Sequence, residues 1–386
     1  MNEFQALLAA AAELRAARRR ALLATIVRTR GSTYRRPGAR LLLDENGWRA
    51  GTVSGGCLEA ELLESAWQRV TANGGRPVAL EYDTVRDGDL LWGHGSGCGG
   101  AATVLLEFLP PEAPADVLTF LADCRARRQG AAVMTVVRSD DEELPVGERL
   151  GLAADGRAEL GNHRRLLPGA RAALRAQRSR SVALDGAGED AVEAFAEYVP
   201  PPPALVIFGT GHDAVPVVRL ARSLGWRVTV GGRRGTHGAA QTLAALADDF
   251  QSAAAVAEAV QADTLALVMT HHYLEDLSLL QTLIQRAPRY LGLLGPAARR
   301  DRLLRDLRKL MPAATALPLP RLHAPAGLDL GAESPEEIAL SIVAEMQAVL
   351  AGRVGGSLCV SQQPIHPPAA ETRALDEPEE CGSAAA

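Results

Sequence analysis

The sequence predicts an α/β protein: an N-terminal α+β domain followed by a C-terminal Rossmann-like domain with a mainly parallel sheet. Three observations predict it. In "YVPPPPALVIF", Pro200 to Pro203 can continue neither a helix nor a central strand, and a buried strand follows at once. After that run strand and helix alternate regularly, which favours parallel strands joined by crossover helices. Before it, strand-like runs mix with helices, and Asn46-Gly47 and Asp155-Gly156 signal hairpins, so some antiparallel pairing is expected. We therefore expect domains over 1–198 and 204–351, a proline linker over 199–203, and a disordered tail over 352–386 rich in Pro, Ser, Glu and Ala.

Taken in order, the chain opens with Phe4, Leu7, Leu8, Ala11 and Leu14 at helical spacing, an amphipathic helix. Strands are expected at "ALLATIV", "ARLLLD", "PVALEY", "TVLLEFL" and "AAVMTVV", and helices around Leu58 to Asn73 and Ala115 to Gln129. In the C-terminal half "ALVIFGTGHDAVPVVRLARSLGWRVTV" reads strand, glycine turn, helix, strand, and Gly209, Gly211 and Ala214 fit G-x-G-x-x-A. The last helix is marked by Ser334 as N-cap, Pro335 in the first turn and Glu337 closing a capping box. No internal repeat stands out.

Composition narrows the function. A net charge of −5 argues against a nucleic-acid partner, which needs a basic face. Lys309 is the only lysine and sits in a charged helix, which discourages Schiff-base chemistry. No signal peptide and no stretch of membrane-spanning length is present, so no membrane partner is expected. Five cysteines without a CxxC pair do not resemble a disulfide framework, and a reducing cytoplasm is the expected location. Cys359 and Cys381 fall in the tail and carry little weight.

Two glycine-bound cysteines carry the chemistry. In "GTVSGGCLEAEL" a helix starting near Ser54 to Cys57 would place the thiol among backbone N–H groups that lack intrahelical partners. The helix dipole favours the thiolate there, and Gly51, Gly55 and Gly56 admit a close ligand. A buried structural cysteine in a glycine-rich turn is the competing reading. In "GHGSGCGG", Gly97 and Gly99 flank Cys98; His94 and Cys98 fall well short of a zinc signature. In "GSTYRRPGAR", Arg35, Arg36 and Arg40 surround a Pro-Gly turn and suit a phosphate, a pterin carbonyl or a carboxylate, or else remain solvated.

The glycine fingerprint raises a second possibility. Where a carboxylate should hold a dinucleotide ribose the sequence offers Gly231, Gly232, Arg233 and Arg234, and Asp213 puts a negative charge near the phosphate position. The arginines could take the extra phosphate of NADP or of another phosphorylated ligand. Thr270, His271 and His272 follow one strand, and Gly292 and Gly295 lie at the next; His271 is expected to be functional, against the alternative that it caps the following helix.

The segments "GSTYRRPGAR", "GTVSGGCLE", "GSGCGG", "FGTGHDAVPVVRLARSLGWRVTV", "VMTHHYLED", "RYLGLLGP" and "PAGLDLGAESPEEIALSIVAEM" occur in the order seen in the XdhC/CoxI family, which this chain resembles over about residues 10–350. The resemblance implies a cofactor-maturation chaperone more than a turnover enzyme. Such a factor binds the molybdenum cofactor (molybdopterin), supports its sulfuration and delivers it to an apo xanthine dehydrogenase-type molybdoenzyme. It also implies a cysteine desulfurase partner, and a homodimer is expected. Cys57 and Cys98 match the family cysteines, as catalytic thiols and candidate molybdenum contacts. Arg35, Arg36, Arg40, Ser54, Gly55, Gly56, Gly97, Gly99, Gly209, Gly211, His271 and Gly295 are the expected cofactor-binding set. Two departures, "GGRR" for an acidic D-x-R-like element and Pro296 for a serine, lie in the nucleotide-like crevice. The competing readings are an NADP-dependent oxidoreductase and a non-catalytic docking adaptor. The cysteine loops are expected to face the Gly209 to Gly211 and His271 crevice, within one chain or across a dimer.

Overall fold

The computed structural model describes residues 2–31, 33–83, 100–112, 116–184, 192–235, 237–311 and 321–360. The chain divides into two compact units between Pro201 and Pro202.

The first unit begins with α1 (Glu3–Ala16), β1 (Ala21–Gly31), β2 (Arg40–Asp44), β3 (Gly47–Gly51), α2 (Cys57–Ala72), β4 (Val78–Asp83) and β5 (Gly100–Leu109). It continues with α3 (Val117–Ala126), β6 (Ala131–Arg138), β7 (Arg149–Ala153), β8 (Ala158–Leu160), α4 (Leu167–Ala176), β9 (Arg180–Ala183) and β10 (Glu193–Val199). The strands form two antiparallel sheets, β3-β2-β1-β5-β4 and β8-β7-β6-β10-β9. Both expected hairpins are present, β2–β3 around Asn46-Gly47 and β7–β8 around Asp155-Gly156.

The two sheet orders expose what reading along the chain missed: this unit is one fold built twice. Thr25 pairs with Arg40 as Thr135 pairs with Arg149, and Leu23 pairs with Glu107 as Val133 pairs with Glu197. Both central strands skip one residue in their ladders, Val27 in β1 and Val137 in β6. Helices α1 and α3 are both followed by a left-handed arginine, Arg18 at φ 52° and Arg128 at φ 54°. Gly51 and Gly161 close equivalent strands. A Cβ on Gly51 would lie 2.1 Å from the Arg40 carbonyl oxygen, and one on Gly161 would lie 2.0 Å from that of Arg149.

Alternation along the strands sorts the core into layers. Leu23 and Leu42 of the first sheet and Val133 of the second join Leu7, Leu14, Val117 and Leu121 in a core shared by both repeats. The opposite faces are covered by Leu62, Ala66 and Val70 of α2 and by Ala170 and Ala173 of α4. Two buried ion pairs cross between repeats: Arg40 binds both carboxylate oxygens of Glu197 (2.9 Å from Nη1 to Oε1), and Arg149 does the same to Glu107 (2.6 Å from Nη2 to Oε1).

The second unit runs β11 (Ala204–Phe208), α5 (Ala214–Ser223), β12 (Arg227–Gly231), α6 (Gly238–Leu246), β13 (Asp249–Gln251), α7 (Ala253–Ala259) and β14 (Leu265–Val268). It ends with α8 (Tyr273–Arg286), β15 (Tyr290–Leu293), α9 (Ala297–Leu310), β16 (Leu322–His323) and α10 (Pro335–Ala351). Its six strands are parallel in the order β13-β12-β11-β14-β15-β16. That is the doubly wound arrangement, whose strand order reverses between β11 and β14. One face packs against α5, α6 and α10, the other against α7, α8 and α9. Ser334 and Glu337 form the expected capping box of α10.

Candidate functional site

Strand register gathers the N-terminal motifs at one end of the first sheet. Gly51, the last residue of β3, pairs with Leu41 next to Arg40, the first residue of β2. Gly31 at the end of β1 pairs with Gly100 at the start of β5, and Asp83 at the end of β4 pairs with Ala101. The arginine turn, the loop before Cys57 and both flanks of the Cys98 segment therefore leave the sheet on the same side. Cys98 itself, with His94, Gly97 and Gly99, lies outside the described residues.

The loop before Cys57 is organised by a residue that motif reading passes over. Oε1 of Glu59 accepts the N–H groups of Val53 (2.9 Å) and Ser54 (2.7 Å) and the Thr52 hydroxyl. Oε2 accepts the Gly56 N–H (3.1 Å) and the Ser54 hydroxyl. Ser54 Oγ in turn accepts from the N–H groups of Gly56 and Leu58, each at 3.1 Å. Burial raises the Glu59 pKa, but the hydrogen bonds from Ser54, Thr52 and the backbone outweigh it and bring the value down to about 2. The spacing Gly56-x-x-Glu59 is the signal that could have found it. Gly55 and Gly56 stay exposed, and a Cβ on Gly56 would meet nothing within 4 Å among the described residues. Cys57 is the first residue of α2.

Glu3 ties this loop to the arginine turn, with Oε1 accepting the Thr52 N–H at 2.9 Å and Oε2 accepting Nη2 of Arg35 at 2.7 Å. The Tyr34 ring lies beside Gly55, 3.8 Å from where a Cβ would be. Arg36 is exposed and forms no ion pair among the described residues. Arg40 differs from the expectation. It is buried against Glu197, so its guanidinium joins the repeats and does not face the loop. Below the loop an open cavity of about 370 Å³ is bordered by Glu3, Trp48, Gly51, Thr52, Gly56 and Glu59. Trp48 is exposed and donates from Nε1 to the Gly51 carbonyl at 2.8 Å, which fixes its indole at the rim.

The second glycine-rich place is the switch point of the parallel sheet. Gly209 has φ 139°, and a Cβ on it would lie 2.4 Å from the Met269 carbonyl oxygen. At Gly211 a Cβ would lie 2.5 Å from Oδ1 of Asp213. Oδ2 of Asp213 is 2.8 Å from Nε2 of His271, whose φ of 59° is left-handed. The carboxylate expected to repel phosphates is thus present, and it is paired across the crevice with the histidine expected to be functional. His272, not His271, occupies the N-cap position of α8, without a side-chain cap bond. Beneath them the buried Asp276 accepts from the Thr270 hydroxyl at 2.5 Å and from Arg299 at 2.7 Å. Gly295, at φ 131°, makes room for the Arg299 side chain; a Cβ on it would lie 3.0 Å from Arg299 Cδ. Arg234 lies over the Phe250 ring at 5.4 Å, and Arg233 is exposed.

Comparisons with known proteins find matches in both units. The family model described as the XdhC and CoxI family matches residues 14–83, and that described as the XdhC Rossmann domain matches residues 205–346. A protein of Bacillus subtilis (strain 168), named as a probable xanthine dehydrogenase subunit, is 33% identical over 334 residues, covering 84% of this chain and 92% of that protein. The molybdenum cofactor insertion chaperone PaoD of Escherichia coli (strain K12) is 24% identical over 336 residues, 85% of this chain and 83% of that one. The crystal structure of a xanthine dehydrogenase from Bacillus halodurans is similar with a TM-score of 0.68 at 28% identity, covering 94% of this chain and 98% of the other.

Proposed function

From the premise that this chain belongs to the XdhC and CoxI family, we propose that it binds the molybdenum cofactor as cargo and serves its maturation and delivery to a xanthine dehydrogenase-type molybdoenzyme. The name of the PaoD relative supports the cargo. The observation that carries the reading is the Glu59-bound loop, which presents exposed glycines directly before a cysteine at a helix start. Arg36 of the arginine turn would meet the anionic end of the cargo, and the Trp48 face at the cavity rim would give its flat pterin a stacking wall. Cys57 and Cys98, as thiolates, are soft ligands suited to molybdenum. In this reading sulfur arrives from a cysteine desulfurase, the protein works in the cytoplasm, and it acts as a homodimer. Among the described residues no helix is long and apolar enough to cross a membrane.

The oxidoreductase alternative gains nothing from the crevice. Asp213 occupies the phosphate end, β12 ends in Gly231 without a ribose carboxylate, and Arg234 is laid against Phe250. Incubation of the purified protein with molybdenum cofactor, followed by gel filtration and pterin fluorescence, tests the proposal. Co-elution that is lost in Cys57→Ser is expected; a wild-type protein that elutes free of pterin overturns it.

A further inference from the structure

The internal duplication supplies a control for the cofactor loop within the same molecule. Gly51 and Gly161 close equivalent strands, and α2 and α4 begin at Cys57 and Leu167, in each case six positions later. The scaffold thus offers both repeats the same span of chain. They use it differently. In the second repeat Arg164–Leu166 form a 3-10 turn, and Pro168 brings no N–H donor to the helix start. Gly169 stands where the first repeat has Glu59, without a side chain to gather the loop, and a Cβ there would lie 2.6 Å from Cε of Met134, so a carboxylate would need the methionine to move. In the first repeat the same span turns through Gly55 and Gly56, and its N–H groups point to one carboxylate and one serine hydroxyl.

Features kept in both repeats belong to the scaffold. These are the closing glycines, the left-handed arginines, the skipped valines and the reciprocal Arg–Glu pairs. What the first repeat has alone belongs to its ligand. We infer that Glu59 is the positioning residue of the cofactor site: it draws Thr52 to Gly56 into an open cradle that the equivalent segment of the second repeat does not form. The inference rests on the proposed cargo for the identity of the ligand, though not for the shape of the loop. Glu59 acts through the loop, since both its oxygens are taken up by it.

The test is Glu59→Gln in the full-length protein, which keeps the side-chain shape and replaces one acceptor oxygen by an amide donor. Hydrogen exchange of Val53, Ser54 and Gly56 should quicken about tenfold while 161–167 exchanges as in wild type. Pterin retained after incubation with molybdenum cofactor should fall about tenfold. Ser54→Ala, a milder change, should move both readouts the same way by less and guards against a folding defect in the first variant. Unchanged exchange in the loop, or equal quickening across both repeats, overturns the inference. So does a loosened loop that retains wild-type levels of pterin. If wild type holds no pterin but Glu59→Gln loosens Thr52 to Gly56 alone, the cargo reading fails and the organising role of Glu59 stands.

Discussion

Two glycine-rich places among the described residues both stand out in the sequence and differ in what their glycines make room for. At the N-terminal loop Gly55 and Gly56 are exposed, and among the described residues nothing lies within 4 Å of where a Gly56 Cβ would be. At the switch point Gly209 is pressed against the Met269 carbonyl and Gly211 lies against Asp213, which is paired to His271. In the first place no described group fills the room at Gly56, and Gly55 has only ordinary contact with the Tyr34 ring; in the second the room is taken by the protein's own groups. Glycine in the sequence cannot by itself separate these uses, because either can call for a residue without a Cβ.

The comparison is easiest to break at the scaffold beneath the first site. Arg40→Met leaves Glu197 charged and buried without its partner, which should cost about 3–5 kcal/mol in a denaturant titration. Arg40→Met combined with Glu197→Leu should recover most of that loss. If Arg40→Met instead proves neutral in stability and abolishes pterin binding, the arginine is a ligand after all and belongs with Arg36. Substitution of the glycines sharpens the contrast. Gly209→Ala meets both a left-handed backbone and a carbonyl oxygen 2.4 Å away and should lose about 3–4 kcal/mol. Gly56→Ala, strained by its φ of 126° but with no described atom within 4 Å of the new Cβ, should lose about 1–2 kcal/mol. Equal losses would erase the distinction.

Much of the fold is legible in the sequence because it rests on local pattern. "ALLATIV", "ARLLLD" and "AAVMTVV" are strands, Asn46-Gly47 and Asp155-Gly156 turn, and the alternation after the prolines gives a parallel sheet. The duplication is not, although β1 and β6 share Ala21/Ala131, Thr25/Thr135, Val27/Val137 and Arg28/Arg138 in register. The eye is drawn to the glycine and cysteine loops, and there the repeats differ. Arg40 departs from its expected role for a related reason. Whether a guanidinium faces a ligand or a carboxylate depends here on Glu197, 157 residues away. The pairing of Asp213 with His271 spans 58 residues and is equally silent in the sequence, although each residue stands out by its own position.

Thiol chemistry gives a smaller effect on stability but a clear one on reactivity. Cys124 is buried in α3, and burial raises its thiol pKa, with the nearby Arg127 opposing only in part. Cys57, at the start of α2 beside exposed glycines, should alkylate at least about tenfold faster at pH 8, read by mass spectrometry of the native protein. The pH dependence of the loop follows from Glu59. Its folded pKa of about 2 lies below the ordinary 4.5, so the stability it contributes is fully present above pH 4.5 and fades as pH falls towards 2. Loop exchange, corrected for its intrinsic rate, should therefore be flat from pH 5 to 8. A midpoint in that range would mean that another group controls the cradle.

The smallest expected change in stability is at the crevice, and it decides what the crevice is. The Asp213–His271 pair is open to water, with 61% of the His271 side chain exposed, so Asp213→Asn should cost less than about 1 kcal/mol. Its informative readout is ligand binding. If the carboxylate alone bars a dinucleotide, its removal should admit NAD or NADP at millimolar concentration in calorimetry. If the missing ribose carboxylate after β12 matters as much, neither nucleotide will bind the variant. We expect the second result, because removing a repulsion supplies none of the contacts that fix a dinucleotide in place. A variant that binds NADP tightly through Arg233 would restore the nucleotide reading. A loss of several kcal/mol would instead show that the pair clamps the loops after β11 and β14 together. The glycines at the switch point would then serve a structural joint, which would leave the N-terminal loop as the place where this chain meets its ligand.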